Sequence, residues 1–461
     1  MKISIDTIAA AGVVGAGGAG FPTYAKLSAK ADTVLLNAAE CEPLLHKDKE
    51  VLRAHAEEVI EGLVAACELV GARRAVIGIK EKYQDVIALL RGVIPRGVEL
   101  APLRDVYPAG DEFVLVYAVL GRAIPPGGLP LDVGAVVINV ETALNIARSP
   151  TTPVIEKFVS VAGAVAHPCT VRAPLGAPLS TCLAAAGGVT ADAARLIVGG
   201  VMMGRLESDP ESPVLRTTGA VIVLPAGHVA VRRYERSFVD RVRIGRAACD
   251  QCSFCTEQCP RYLLGHPVEP HKVMRSLGFS ATGEANVRGA LYCSGCSLCS
   301  LSSCPEDLDP GSICADNKRR LLGAGQRWPD APFNPNRPRL HLANRSTPMS
   351  RLMRKLGLTG FANVGPLCAA PVAAGTVTIP LKQHIGAAGV PCVAPGARVA
   401  RGEAIALPPA GRAAGLSPAP LGVPVHASLS GIVTAVTATA VTITAHPSGA
   451  LGRTSGSPQP A

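Results

Sequence analysis

Hydrophobic and polar positions in the first 150 residues follow two alternating periods. Residues 33–37 (Thr-Val-Leu-Leu-Asn), 74–79 (Arg-Ala-Val-Ile-Gly-Ile) and 134–139 (Gly-Ala-Val-Val-Ile-Asn) are short, nearly continuous apolar runs. Between them, residues 47–70 carry a helical repeat with charged positions along one side, and residues 83–90 a shorter one. Strands with no polar face are buried on both sides, and strands separated by helices pair in parallel. The pattern therefore predicts an α/β layer built on a largely parallel sheet.

The character changes after residue 154. Residues 157–165 (Lys-Phe-Val-Ser-Val-Ala-Gly-Ala-Val) alternate as a strand does, then give way to Pro- and Gly-rich turns, a helical patch at 179–186 and a strand from Leu196. This reads as a small α+β module. Residues 325–350 hold Pro329, Pro332, Pro335, Pro338 and Pro348, which remove backbone donors and predict a linker that wraps or extends. Residues 351–358 suggest a short basic helix. Strands and turns return at 376–445, around Val377, Val393, Val423 to His426 and Gly431 to Val436, as a compact β module. The expected domains are 1–153, 154–240, a cysteine-rich 241–324, a basic Pro-rich linker at 325–370, a β module at 371–446 and a flexible tail at 447–461.

Composition narrows this picture. A length of 461 residues suggests about three domains at roughly 100–200 residues each. With 48% hydrophobic and 17% charged residues, general disorder is excluded. Mean hydropathy is positive, at +0.29, yet no apolar run approaches the roughly 18 residues that suggest a bilayer span. The chain begins Met-Lys-Ile-Ser-Ile-Asp, without the basic and apolar regions of a secretory signal. A cytoplasmic protein without membrane insertion is expected. The net charge of +10 is local: residues 311–360 hold ten Lys/Arg and two Asp/Glu, whereas residues 1–150 hold fifteen and eighteen. Nucleic acid is therefore not an expected partner. The basic segment reads either as a docking surface for an acidic partner or as a solvated strap.

Eight of the fifteen cysteines fall in two tight runs. The first is Cys249-x2-Cys252-x2-Cys255-x3-Cys259-Pro260, and the second Cys293-x2-Cys296-x2-Cys299-x4-Cys304-Pro305. Three thiolates at this spacing curl around one iron–sulfur cube. A fourth, followed by Pro, leaves the loop for a helix. In two-cluster ferredoxins the fourth cysteine ligates the other cluster. One [4Fe-4S] cluster would then take Cys249, Cys252, Cys255 and Cys304, and the second Cys293, Cys296, Cys299 and Cys259. The extra residue before Cys304 has to be absorbed in its loop. Zinc, which favours two separated C-x2-C pairs, fits these runs poorly. The other cysteines read as small buried hydrophobes, with Cys314 the least secure of them.

A second signal is Gly15-Ala-Gly-Gly-Ala-Gly-Phe-Pro-Thr-Tyr-Ala-Lys26. Gly15, Gly17, Gly18 and Gly20 let backbone N–H groups approach a phosphate, and Lys26 offers charge. The stretch is neither the dinucleotide fingerprint nor a P-loop, and its plain alternative is a flexible turn. Three further stretches strengthen it: Asn37 to Pro43 with Glu40 and Glu42, Tyr107 to Glu112 around Gly110, and Asn139-Val-Glu-Thr. Two of them end strands of the expected sheet, where ligands of α/β folds bind. For Glu40, Glu42 and Glu112 the plain alternative is a solvated surface acid.

Together these stretches resemble the flavoprotein subunit of respiratory complex I. The full order of parts resembles two related families, the C subunits of Rnf ion-pumping complexes and the cobalamin reductases of propanediol-utilising microcompartments. In the second the barrel-sandwich module comes last, as it does here. The resemblance implies a complex-I-flavoprotein-like, Rossmann-type α/β domain, a β-grasp (SLBB-like) module, a two-cluster ferredoxin-like helical insert and a C-terminal β barrel-sandwich. It implies FMN against Gly15, Gly17, Gly18, Gly20 and Lys26, with Asn37 and Asn139 nearby and Glu40 and Glu112 in the same cradle. NADH would stack on the flavin, with Phe21 and Glu42 among its contacts. Electrons would pass from NADH through FMN and two [4Fe-4S] clusters to cobalamin as substrate. Implied partners are a cobalamin adenosyltransferase and shell proteins, inside a bacterial microcompartment. The competing readings are an Rnf-type electron-input component and a non-catalytic electron relay.

Overall fold

The structure is a computed structural model that describes residues 2–279, 284–336, 338–409 and 421–445. The expected tail at 447–461 lies outside the described residues.

The first sheet is all parallel, in the spatial order Val98–Leu103, Arg74–Lys80, Thr33–Ala38, Ala135–Asn139. The three strands read from apolar runs are there. The fourth, Val98–Leu103, is a half-exposed edge strand interrupted by Glu99, and so lacks the continuous run that marks the others. Helices Lys47–Val70 and Val140–Arg148 pack on one face. They come so close at Gly62 that a Cβ there would stand 1.9 Å from the Ala143 carbonyl oxygen. Helix Glu112–Leu120 covers the other face, with Leu115 and Val116 against Leu35, Val76 and Val137. One expectation changes for Lys47–Val70. Its first-turn charges, Lys47, Asp48 and Glu50, are buried rather than on a solvated side.

The second module is a five-stranded sheet ordered Cys169–Pro174, Glu156–Gly163, Ala220–Pro225, Ala194–Val198, Arg205–Glu207, with helix Leu179–Ala185. Its central strand, Ala220–Pro225, is an unbroken apolar run that a search for alternation passes over.

In the cysteine region, Pro260 opens helix Pro260–Leu263 directly after Cys259. The second run departs from that expectation. Residues Cys299–Ser303 form a π-turn, with Cys304 N donating to Cys299 O at 3.2 Å, which takes up the extra residue. After Cys304-Pro305 the chain turns, and a helix begins only at Pro310.

The segment at 325–370 is no free linker. Thr347–Pro348 pairs with Val106–Tyr107, and helix Met349–Lys355 buries Met349, Leu352 and Met353 against Ile197, Ile222 and Leu298. Several of its basic residues, and of those just before it, are engaged internally. Lys318 Nζ donates to Cys293 O at 2.8 Å and Lys355 Nζ to Cys304 O at 3.3 Å. Arg345 pairs with Glu257. The strap reading holds for these residues.

The C-terminal module has a four-stranded sheet ordered Thr376–Pro380, Ala440–Ala445, Gly431–Val436, Arg398–Val399, and a three-stranded one of Val390–Pro391, Ala404–Leu407 and Val425–His426. Val393 lies outside its strands but packs on its core. Among the described residues no helix is long and apolar enough to cross a membrane.

Candidate functional site

Asn37 and Asn139 stand in direct register at the carboxyl ends of adjacent parallel strands. The Asn37 amide donates to Gly110 O at 2.8 Å, tying the strand end to the Tyr107–Glu112 turn. The Asn139 amide donates to Asp48 Oδ2 at 2.7 Å, and its oxygen accepts from Glu141 N, capping helix Val140–Arg148. Gly17 passes over this asparagine, a Cβ there lying 3.5 Å from Asn139 Cβ.

The glycine loop is anchored rather than slack. Gly15 N donates to Phe21 O, Ala16 N to Thr142 Oγ1 at 2.9 Å, and Lys157 Nζ to Ala16 O at 3.0 Å. Lys157 comes from the second module. It also pairs with Glu141, which receives Lys47 Nζ at 3.3 Å and Phe158 N at 3.0 Å. Burial pulls the Lys157 ammonium down to about 8. Burial opposes charge at Glu141 too, yet Lys157 and Lys47 together hold its carboxyl below the ordinary range. The carboxylate is thus the firmly charged member. Within the loop, Gly18 has φ +116° and a Cβ there would meet nothing within 4 Å.

The remaining predicted residues divide. Glu40 is half-buried beside this network, its Oε1 accepting from Asp48 N and its buried Oε2 without a partner among the described residues. Burial, then the Asp48 carboxylate, push its carboxyl up to about 8. Lys26 Nζ donates to Val137 O at 2.9 Å and stands 3.5 Å from Glu112, whose side chain is 44% exposed. Glu42 is engaged elsewhere. Its carboxylate accepts from Met202 N at 2.8 Å and Met203 N at 2.9 Å, joining the first module to the second. Phe21 is half-buried at the loop's exit. Lys47, Asp48 and Lys157 belong to the site but escape sequence reasoning, because a buried charge in a helix or strand has the same one-letter signature as an exposed one. The signal that remained was Lys157 standing in an otherwise apolar strand.

The cysteines surround two cavities. One is lined by Cys259, Cys293, Cys296 and Cys299, the other by Cys249, Cys252, Cys255 and Cys304. Each cavity thus draws three cysteines from one run and the fourth from the other. The electrostatic neighbours agree: Cys259 feels Cys296 and Cys293, and Cys304 feels Cys252 and Cys249. Burial pushes the thiols of Cys255 and Cys296 up to about 12 and 11, so they shed protons to a metal rather than to water. Cys314 is fully buried beside Cys293. The two sites adjoin, since buried Tyr107 donates its hydroxyl to Cys296 O at 2.7 Å and Arg261, two residues after Cys259, pairs with Asp111 at 2.8 Å.

Comparison with known proteins matches four families in this order: the Nuo51 FMN-binding domain at residues 8–148, the SLBB domain at 158–206, the 4Fe-4S dicluster domain at 248–309, and the RnfC barrel sandwich hybrid domain at 365–450. Cobalamin reductase PduS of Citrobacter freundii is 41% identical over 441 residues, covering 95% of each chain. Cobalamin reductase PduS of Salmonella typhimurium is 41% identical over 96% of this chain and 97% of its own. The C component of the Na(+)-translocating ferredoxin:NAD(+) oxidoreductase complex of Acetobacterium woodii is 34% identical over 55% of this chain and 56% of its own. Among solved structures, a chain of the NAD+-reducing [NiFe]-hydrogenase in the H2-reduced state aligns with 22% identity, 71% of this chain, 63% of that one and a TM-score of 0.46. The chain belongs to the PduS cobalamin reductase family.

Proposed function

We propose that this member of the PduS family is an NADH-dependent cobalamin reductase, passing electrons by way of FMN and two [4Fe-4S] clusters to cob(III)alamin and cob(II)alamin. The carrying observation is the Tyr107–Glu112 turn, which Asn37 ties to the strand end through Gly110 O and whose Tyr107 hydrogen-bonds the backbone of Cys296. A strand-end cradle of the flavin type and a thiolate-lined cavity joined through this one turn, by Tyr107 and by the Asp111–Arg261 pair, suit short-range electron passage.

The residues present fit the groups. Gly18 borders open space, and the Glu40 Oε2 is a buried polar atom left for a ligand. Each cysteine cavity offers four soft sulfur donors, the set that iron–sulfur clusters require. When bound, FMN supplies the exchange between a two-electron donor and one-electron carriers, and the clusters supply single-electron transfer. The chain's own part is positioning. Thr142 and Lys157 hold the loop at Ala16, Asn139 supports Gly17, and Asn37 fixes the Tyr107–Glu112 turn. We assign the cradle to Gly15, Gly17, Gly18, Gly20, Lys26, Asn37, Glu40, Glu112 and Asn139, with Phe21 toward NADH. Glu42 we give to the joint between modules.

The test is anaerobic reconstitution with iron, sulfide and FMN, then NADH oxidation with cob(III)alamin, a quinone and a ferredoxin offered in turn. Cobalamin reduction outpacing the others is expected. Preferential turnover with ferredoxin would favour the Rnf-type reading, and failure to retain flavin the relay reading. We extend the proposal to a microcompartment shared with an adenosyltransferase and shell proteins, which co-purification of intact compartments checks.

A further inference from the structure

Where the three modules meet, a cluster of basic side chains is buried without an acid. Arg216, in the loop before strand Ala220–Pro225, is 2% exposed. Its Nη2 donates to Pro424 O at 2.8 Å, while Nε and Nη1 have no partner among the described residues. His384 and His426, from the C-terminal module, are 8% and 6% exposed. Among the described residues, both ring nitrogens of His384 and Nδ1 of His426 are also unpartnered. The Arg216 charge acts on both histidines, so three buried side chains with five orphaned nitrogens share one neighbourhood.

We infer that Arg216, His384 and His426 form a binding site for a phosphate-class oxyanion at this junction. A guanidinium does not lose its proton in a protein, so burying one demands a counter-charge or a full set of acceptors. One carbonyl is neither. The groups that bear on the cluster are Arg216 itself, Lys382 and the Ala10 carbonyl, which hydrogen-bonds His426. No carboxylate is among them, and burial alone acts on Arg216. Burial and the Arg216 charge keep both histidines neutral, each pulled down to about 4. A neutral imidazole still offers one N–H, and an arriving anion favours a second. The donors are therefore a guanidinium fork and imidazole N–H groups, the set that recognises a tetrahedral oxyanion.

The site adjoins the glycine loop. A Cβ at Gly12 would come within 3.0 Å of Arg216 Nη2, and one at Gly20 within 3.2 Å of His384 Cα. Ile385 N donates to Gly20 O at 2.9 Å. The oxyanion has two possible sources, the pyrophosphate of a dinucleotide lying along the loop or a free phosphate. The inference stands on the cluster alone, whatever the chain reduces.

Isothermal titration of the cluster-loaded full-length protein with inorganic phosphate, at constant ionic strength in chloride, tests it. Phosphate should bind saturably to the natural chain. Arg216→Met should weaken it about 10- to 100-fold, the worth of one lost charge-assisted hydrogen bond. His384→Phe should weaken it several-fold, and decides the matter if Arg216→Met does not fold. Competition between NADH and phosphate assigns the site to a dinucleotide; independent binding of the two assigns it to free phosphate. Phosphate binding absent from the natural chain, or unchanged in the folded variants, overturns the site and leaves Arg216 as a clamp on Pro424.

Discussion

Gly18 and Gly62 show how differently two glycines serve one domain. At Gly62 a methyl group would collide with the Ala143 backbone, so that glycine exists for helix packing. At Gly18 the space is open and the requirement is the positive φ. Gly18→Val should leave the iron content intact and weaken FMN about 100-fold or more, through strain and a side chain intruding on the cradle. Flavin fluorescence after dialysis against FMN measures it, and tight binding retained in the variant would rule out this loop as the cradle. Glu40 makes a second prediction. Its carboxyl is raised from 4.5 to about 8 by burial first and Asp48 next. Because the folded value lies above the unfolded one, the folded chain binds the proton more tightly. The stability this contributes is complete below pH 4.5 and is lost as pH rises toward about 8. The thermal midpoint of the flavin-free protein should therefore fall between about pH 6 and 8, and Glu40→Gln should flatten that slope.

Among the elements, the two cysteine runs carry the sharpest expectation. Cys259 stands at the head of helix Pro260–Leu263, in the cavity of Cys293, Cys296 and Cys299. Cys304 follows a π-turn and joins Cys249, Cys252 and Cys255. Loss of a thiolate should damage the cluster it faces, not the run it belongs to. Paramagnetic resonance of reduced, reconstituted Cys259→Ser should match Cys296→Ser, and Cys304→Ser should match Cys252→Ser. If Cys259→Ser matched Cys252→Ser instead, each run would close its own cluster. The two groupings of cysteines are legible in the sequence because spacing is itself the chemistry: few arrangements besides a cube explain cysteines at three-residue intervals. The parallel sheet is legible for a similar reason, since its inner strands are unbroken apolar runs. The edge strand Val98–Leu103 was lost to its exposed Glu99, and the route after Cys304 to a turn where a Pro-led helix seemed due. The buried first turn of Lys47–Val70 was illegible because periodicity marks which residues share a side, not whether water or a site lies beyond it.

Across the whole molecule, the glycine loop depends on a residue that its own domain does not supply. Lys157, on strand Glu156–Gly163 of the second module, is buried, donates to Ala16 O and neutralises Glu141 together with Lys47. Severing this link should loosen the loop from behind. In Lys157→Met the side chain keeps its length, but Glu141, 1% exposed, retains as its cationic partner only Lys47, which it shares with Asp48, beside the Phe158 N–H. Removing one partner of a buried pair costs about 3–5 kcal/mol, because the other charge stays buried. Chemical denaturation should therefore show a large loss of stability, and FMN should dialyse away faster than from the natural chain while the iron count holds. The double variant Lys157→Met with Glu141→Gln discriminates between charge and packing. If the uncompensated carboxylate is the cause, neutralising it restores most of the stability. It does not restore FMN retention, because Ala16 O still lacks its donor. If the double variant proves no more stable than the single one, the modules are held by shape rather than by this ion pair.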